Sequence, residues 1–367
     1  MSDRLQVIED GAAPAPEPES TRPSWVLVLV GFVVGLGLGI LVVQPSPDED
    51  LEAPAVTTTT VAEVTTSPED PLEGQGVSDV IAGFPDAIVG VARTSGSALE
   101  HVLWPVSGEP IVRAMAGGND VALDVRSQFI ALSEEVPGPD GNLLSLGRFN
   151  TIRPLTTGVS SYAWHDSTIG SLAYTSAEDG GTVLFTVRAD LQSVSVVDLL
   201  EPDVSLVGWG EWGWALQQGS DQVVLLNPDG EFKDSEAGVA LATHSSGWIF
   251  AVEGDVEKLI SSGGGVRLLD AELDVGTPRT AEISPDASKV AVAGTFGIAV
   301  IDLDNGGVRN LAAFPAPSLS WSSDSRFVIA PSASGIVVFD LDGSDPGYVA
   351  LREHWFLAAG VTPLNSS

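Results

Sequence analysis

The chain has 367 residues, with 50 Asp and Glu against 16 Lys and Arg and a formal charge of −34 at pH 7. So acidic a chain repels phosphate and has few cations with which to release counterions, which excludes nucleic-acid binding and a polybasic contact with anionic lipid. The absence of cysteine excludes disulfides, cysteine zinc sites, iron–sulfur clusters and a thiol nucleophile, and leaves four His for metal or base chemistry.

Residues 1–24 carry Arg4 and Arg22 against five acids, and residues 11–20 read GAAPAPEPES. Such a composition buries too little surface to offset ordering entropy, so a disordered tail is expected. Residues 25–43, WVLVLVGFVVGLGLGILVV, hold no charge. As a helix this run spans roughly 28 Å, near the thickness of a bilayer core. It is longer than a signal-peptide core and lacks a basic leader region, so an uncleaved single-pass anchor is expected. Arg22 and Arg4 precede it, and Asp48, Glu49, Asp50 and Glu52 follow with no cation before Arg93. By the positive-inside rule the tail is cytoplasmic and the rest extracytoplasmic, at the cell membrane. Gly31, Gly35 and Gly39 fall on one face of that helix, a candidate surface for self-association.

Residues 44–75 are rich in Pro, Thr and acid, with Thr57 to Thr60 in a row. This predicts a disordered, self-repelling stalk.

From residue 76 to 367 short apolar runs alternate with Gly, Asp, Asn and Ser, which are strand and turn signals. The chain also repeats. Residues 281–303, AEISPDASKVAVAGTFGIAVIDL, align with 319–341, LSWSSDSRFVIAPSASGIVVFDL, at a period of 38. Weaker copies begin near residues 120, 161, 206 and 239, and a partial one spans 87–113. Four short strands at a period of about 40 predict an all-β propeller. Seven blades are expected, with six as the alternative. The apolar segment 354–361, HWFLAAGV, lacks a blade of its own and is expected to pair with 87–113 and close the ring.

The run from Ser284 to Val292, followed by Ile301-Asp302-Leu303-Asp304, resembles TolB-like and Trp-Asp-repeat β-propellers. That resemblance implies four-stranded blades around a channel, commonly a protein-binding platform. The Gly-His and Trp-Asp dipeptides of the Trp-Asp family are absent from the repeats.

No nucleophile elbow, P-loop, zincin motif or dinucleotide fingerprint is present, so no catalytic, cofactor or metal residue is assigned. His165 and His244 fall at equivalent turns, and surface or hydrogen-bonded His is the expectation there over a metal site. His354 is a third candidate. Asp340-Leu-Asp-Gly-Ser-Asp345 lacks the glycine placement of a calcium loop and is read, with Asn227–Gly230 and Asp302–Gly306, as a hairpin turn. In VGWGEWGWA, Trp209, Trp212 and Trp214 are read as core, with Trp212 and Trp214 on one strand face. Glu178, Asp179, Asp221, Glu253 and Asp255 recur on one set of turns, a candidate electronegative binding face.

The leading reading is a membrane-anchored scaffold that binds a protein of the cell envelope. The alternatives are a propeller hydrolase using a carboxylate pair on glycans or peptides, and a sensor subunit dimerising through its anchor.

Overall fold

The computed structural model describes Val77, Ile81 and residues 83–362, apart from 95–97, 116–119, 137–141, 149–150, 179–180, 189–192, 200–202, 333–334, 344–345 and 350–353. The expected anchor, its Gly31, Gly35 and Gly39 face, the tail and the stalk lie outside these residues, as does Asp179. Among the described residues every element is a strand, and no helix is long and apolar enough to cross a membrane.

The strands follow in chain order. First come β1 (Ala87–Thr94), β2 (Leu99–Trp104), β3 (Ile111–Ala114), β4 (Asp120–Leu123), β5 (Ile130–Glu135), β6 (Asn142–Arg148) and β7 (Thr151–Trp164). Next are β8 (Ser171–Glu178), β9 (Gly181–Arg188), β10 (Ser193–Leu199), β11 (Val204–Gly210), β12 (Gly213–Gln218), β13 (Gln222–Leu226) and β14 (Phe232–Ala237). Then come β15 (Val239–Thr243), β16 (Trp248–Glu253), β17 (Val256–Ser261), β18 (Val266–Leu269), β19 (Pro278–Ile283), β20 (Lys289–Gly294) and β21 (Ile298–Asp302). The last are β22 (Val308–Ala312), β23 (Ser320–Trp321), β24 (Phe327–Ser332), β25 (Gly335–Asp340), β26 (Gly347–Val349) and β27 (His354–Thr362).

They form six antiparallel sheets, the blades of a propeller. Five have four strands: β27-β1-β2-β3, β11 to β14, β15 to β18, β19 to β22 and β23 to β26. The second has seven, β4 to β10. Seven separate blades were the expectation, and the difference lies in this one sheet. The two repeats read as independent are joined through the 14-residue β7. Its first part pairs with β6 (Thr151↔Arg148) and its last part with β8 (Trp164↔Leu172), while Val159 faces a partner on each side. Gly158, at φ 78°, lets the strand bend from one half of the sheet into the other.

The inner-edge strands touch in a closed cycle: β4, β7, β11, β15, β19, β23, β27 and back to β4. The expected closure is present. β27 pairs with β1 from Ala87↔Thr362 to Thr94↔His354, so the C-terminal strand completes the first blade.

Seven hydrophobic clusters follow the ring, six between neighbouring sheets and one within the wide sheet. The period-2 geometry of a strand feeds two of them at once. On β20, Val290 and Val292 pack toward the fourth sheet, while Ala291 and Ala293 pack toward the sixth. Middle strands are therefore mostly buried, as strands with both faces covered must be. The outermost strands are not: all four residues of β3 are exposed.

Candidate functional site

In a blade the first hairpin turn lies on one rim of the ring and the second on the other. The lower rim carries the turns between first and second strands. One position repeats there: Asp124, His165, His244, Ser284 and Ser322. At each of these five the backbone N–H donates to the carbonyl that opens the next strand, as in His165 to Ser171 and Ser284 to Lys289. Their side chains hold the turn together. Asp124 Oδ1 accepts from Gln128 and Phe129 N–H. Ser284 and Ser322 Oγ accept from Lys289 and Phe327 N–H.

The two His do the same work. His165 Nδ1 accepts from the N–H of Ser167 at 3.1 Å and of Thr168 at 3.0 Å, and His244 Nδ1 from Ser246 N–H at 3.1 Å. Burial lowers the pKa of both, and a neutral ring is what a turn acceptor requires. The side chain of His354 is outside the described residues.

The Asp-Leu-Asp ends of the repeats also prove structural. Asp302 Oδ1 accepts from Asp304 and Asn305 N–H, and Asp340 Oδ1 from Asp342 N–H. Asp340 is also gripped by Arg326 through two hydrogen bonds. The turn carbonyls serve as sockets. Arg267 reaches Leu303 and Asp304 from the fourth sheet, and Arg309 reaches Leu341 and Asp340 from the fifth. At Asp286 burial raises the pKa, but hydrogen bonds from Ser284 and Ser288 and the charge of Lys289 carry it down to about 2.

The tryptophans correct one expectation. Trp212 does not share a strand face with Trp214, because it sits in the β11–β12 turn. Trp209 and Trp214 are register partners and stack at 4.7 Å, both buried. Indole N–H groups tie each inner strand to the one before it: Trp164 to Ala122, Trp209 to Ala163 and Trp321 to Glu282, each to a carbonyl.

The upper rim is different. Asp221 lies in the β12–β13 turn and Asp255 in the β16–β17 turn, both exposed. Neither side chain makes a hydrogen bond or ion pair among the described residues. Glu253 is half committed: it accepts from Lys258 Nζ at 2.8 Å and so satisfies a buried ammonium. Glu178 ends β8 beside the corresponding turn. The candidate acids thus fall on one rim in consecutive blades. Asp124, Asp302 and Asp340 accept from their own turn backbone, whereas Asp221 and Asp255 make no such bond.

A cleft of about 380 Å³ opens on the same rim, where the wide sheet bends. Asp120, Ser133, Glu135, Asn142 and residues 159–162 line it. Tyr162 donates to Asp120 Oδ2 at 2.9 Å, linking inner strands β4 and β7. No local motif announces this site, because its parts come from positions 42 residues apart.

No family model matches this sequence, and no curated protein matches it. Solved structures do. Apo AztD from Citrobacter koseri aligns at a TM-score of 0.51 and 11% identity, over 76% of this chain and 98% of that one. TolB from Acinetobacter baumannii aligns at 0.48 and 15%, over 78% of this chain and 69% of that one. The chain is a β-propeller with TolB among its structural neighbours, and at these identities the likeness concerns the fold.

Proposed function

We propose that this protein is a membrane-tethered, extracytoplasmic docking module whose upper rim binds a basic protein of the cell envelope. The observation that carries the reading is that Asp221 and Asp255 occupy corresponding upper-rim turns of neighbouring blades, exposed and with no side-chain partner among the described residues. The N-terminal segment joins the ring from below. Asp86 accepts from Ser323 N–H and Oγ–H in a lower-rim turn, and β1 begins on that side. Complementary charge would steer and orient the partner.

The test is mild cross-linking of the full-length chain in intact cells, followed by mass spectrometry. A stoichiometric envelope partner, captured several-fold less by an Asp221→Asn, Asp255→Asn double variant, is expected. No partner, or equal capture by the variant, overturns the docking reading. Protease added to intact cells checks the topology independently: digestion of everything after Val43 is expected, and full protection refutes it.

A further inference from the structure

The cleft in the wide sheet has a chemistry of its own. Its walls are rich in acceptors, with the carboxylates of Asp120 and Glu135 on β4 and β5, and no cationic side chain lines it. Asp120 is held in place, Oδ2 taking the Tyr162 phenol at 2.9 Å and Oδ1 the Val121 N–H at 2.9 Å. Each oxygen keeps a lone pair to spare. Ser133 stands opposite Asp120 in the register and is only 7% exposed, yet its hydroxyl makes no hydrogen bond among the described residues. Ser133 lines the cleft, so its hydroxyl is open to a guest there. Ser161 is the contrast: it bonds Thr175 Oγ1 and accepts from Leu206 N–H, so it belongs to the scaffold. Glu135 is exposed and makes no ion pair among the described residues.

We infer that this cleft is a socket for a basic side chain, an arginine guanidinium or lysine ammonium presented by the partner, an assignment that rests on the docking function proposed above. A surplus of acceptors selects a guest made of donors, and these two groups carry donors and no acceptors. The fit is charge-assisted: Asp120, oriented by Tyr162, and Glu135, both exposed, meet the cation from β4 and β5.

Calorimetric titration of the full-length protein in detergent, with Gly-Arg-Gly and Gly-citrulline-Gly peptides at low ionic strength, tests the assignment. Citrulline keeps the shape and removes the charge. Binding of the arginine peptide alone is expected. Glu135→Gln, an exposed change that leaves the fold intact, should weaken it about five- to tenfold, as a partly exposed ion pair allows. Asp255→Asn, outside the cleft, should leave it unchanged. Equal binding of the citrulline peptide, or equal effects of Glu135→Gln and Asp255→Asn, overturns the socket. If the peptides fail while cellular capture still depends on Asp221 and Asp255, the docking function stands and the socket falls. If the peptides behave as expected and no cellular partner appears, the socket stands as a cation site and the docking function falls.

Discussion

The Trp212 indole donates to Asp166 Oδ2 at 2.6 Å, joining the turn of the third sheet to the end of the second. The other oxygen, Oδ1, is buried with no hydrogen bond among the described residues, 3.6 Å from His165 Nδ1, which is itself a turn acceptor. Burial raises the Asp166 pKa to about 6 against the Trp212 hydrogen bond, and the nearby Glu211 charge adds to the rise. An acid with a folded pKa above its unfolded one costs stability once it ionises. The cost is absent below about pH 4, grows through pH 4–6 and is complete above. Asp166→Asn keeps the acceptor for Trp212 and removes the charge. It should stabilise the protein by about 2 kcal/mol at pH 7.5 and by nearly nothing at pH 4. Thermal melts across that range decide it, and a pH-independent difference would refute the charge explanation.

The indole latches predict a graded loss. Trp321 is 3% exposed and donates to Glu282 O at 2.8 Å. Trp321→Phe strands that carbonyl and trims a packed ring, so a loss of about 2–4 kcal/mol in urea denaturation is expected. Trp164→Phe breaks the equivalent bond to Ala122 O in a half-buried setting and should cost less. Equal costs would mean that packing alone, and not the carbonyl, sets the value.

Much of this was legible in the sequence. The 38-residue offset between Ser284 and Ser322 located the turns, and the unpartnered run HWFLAAGV located the closing strand. The wide sheet was not legible, because its joint depends on how far β7 pairs beyond Gly158, which no local pattern encodes. Trp212 was misplaced for a related reason: alternation along GEWGW assumes a strand, but Gly213 at φ 123° turns the chain there. The cleft was hidden altogether, since Asp120 and Tyr162 meet only after two blades assemble.

The third residue after the repeated cap is left-handed in four turns: Ser127, Gly247, Ala287 and Ser325 all have positive φ. Glycine adopts this conformation without strain, whereas alanine does not. Ala287, at φ 56°, is therefore the exception to improve. Ala287→Gly should raise stability by about 0.5–1 kcal/mol, read as a higher denaturation midpoint at unchanged slope. The same logic makes His244→Ser nearly neutral, because Ser284 and Ser322 fill that position elsewhere. His244→Leu, which leaves Ser246 N–H unpaired, should cost about 1–2 kcal/mol.

The closing strand gives the sharpest test of the fold. β27 pairs with β1 over its whole length and sends Phe356, Ala359 and Val361 into the cluster shared by the first and sixth sheets. It also touches β4 and β23, so removing it opens the cycle on both sides. Deleting 353–367 exposes the edge of β1 and that cluster together, and the ring should lose its cooperative melt and aggregate. Phe356→Ala is the milder probe. Phe356 is buried against Trp104 at 5.4 Å, so a loss of about 3–5 kcal/mol is expected while the hydrogen bonds of β27 remain. A truncated chain that melts like the full one would show that the ring holds without its closing strand. A Phe356→Ala protein of unchanged stability would show that the strand acts through its backbone alone.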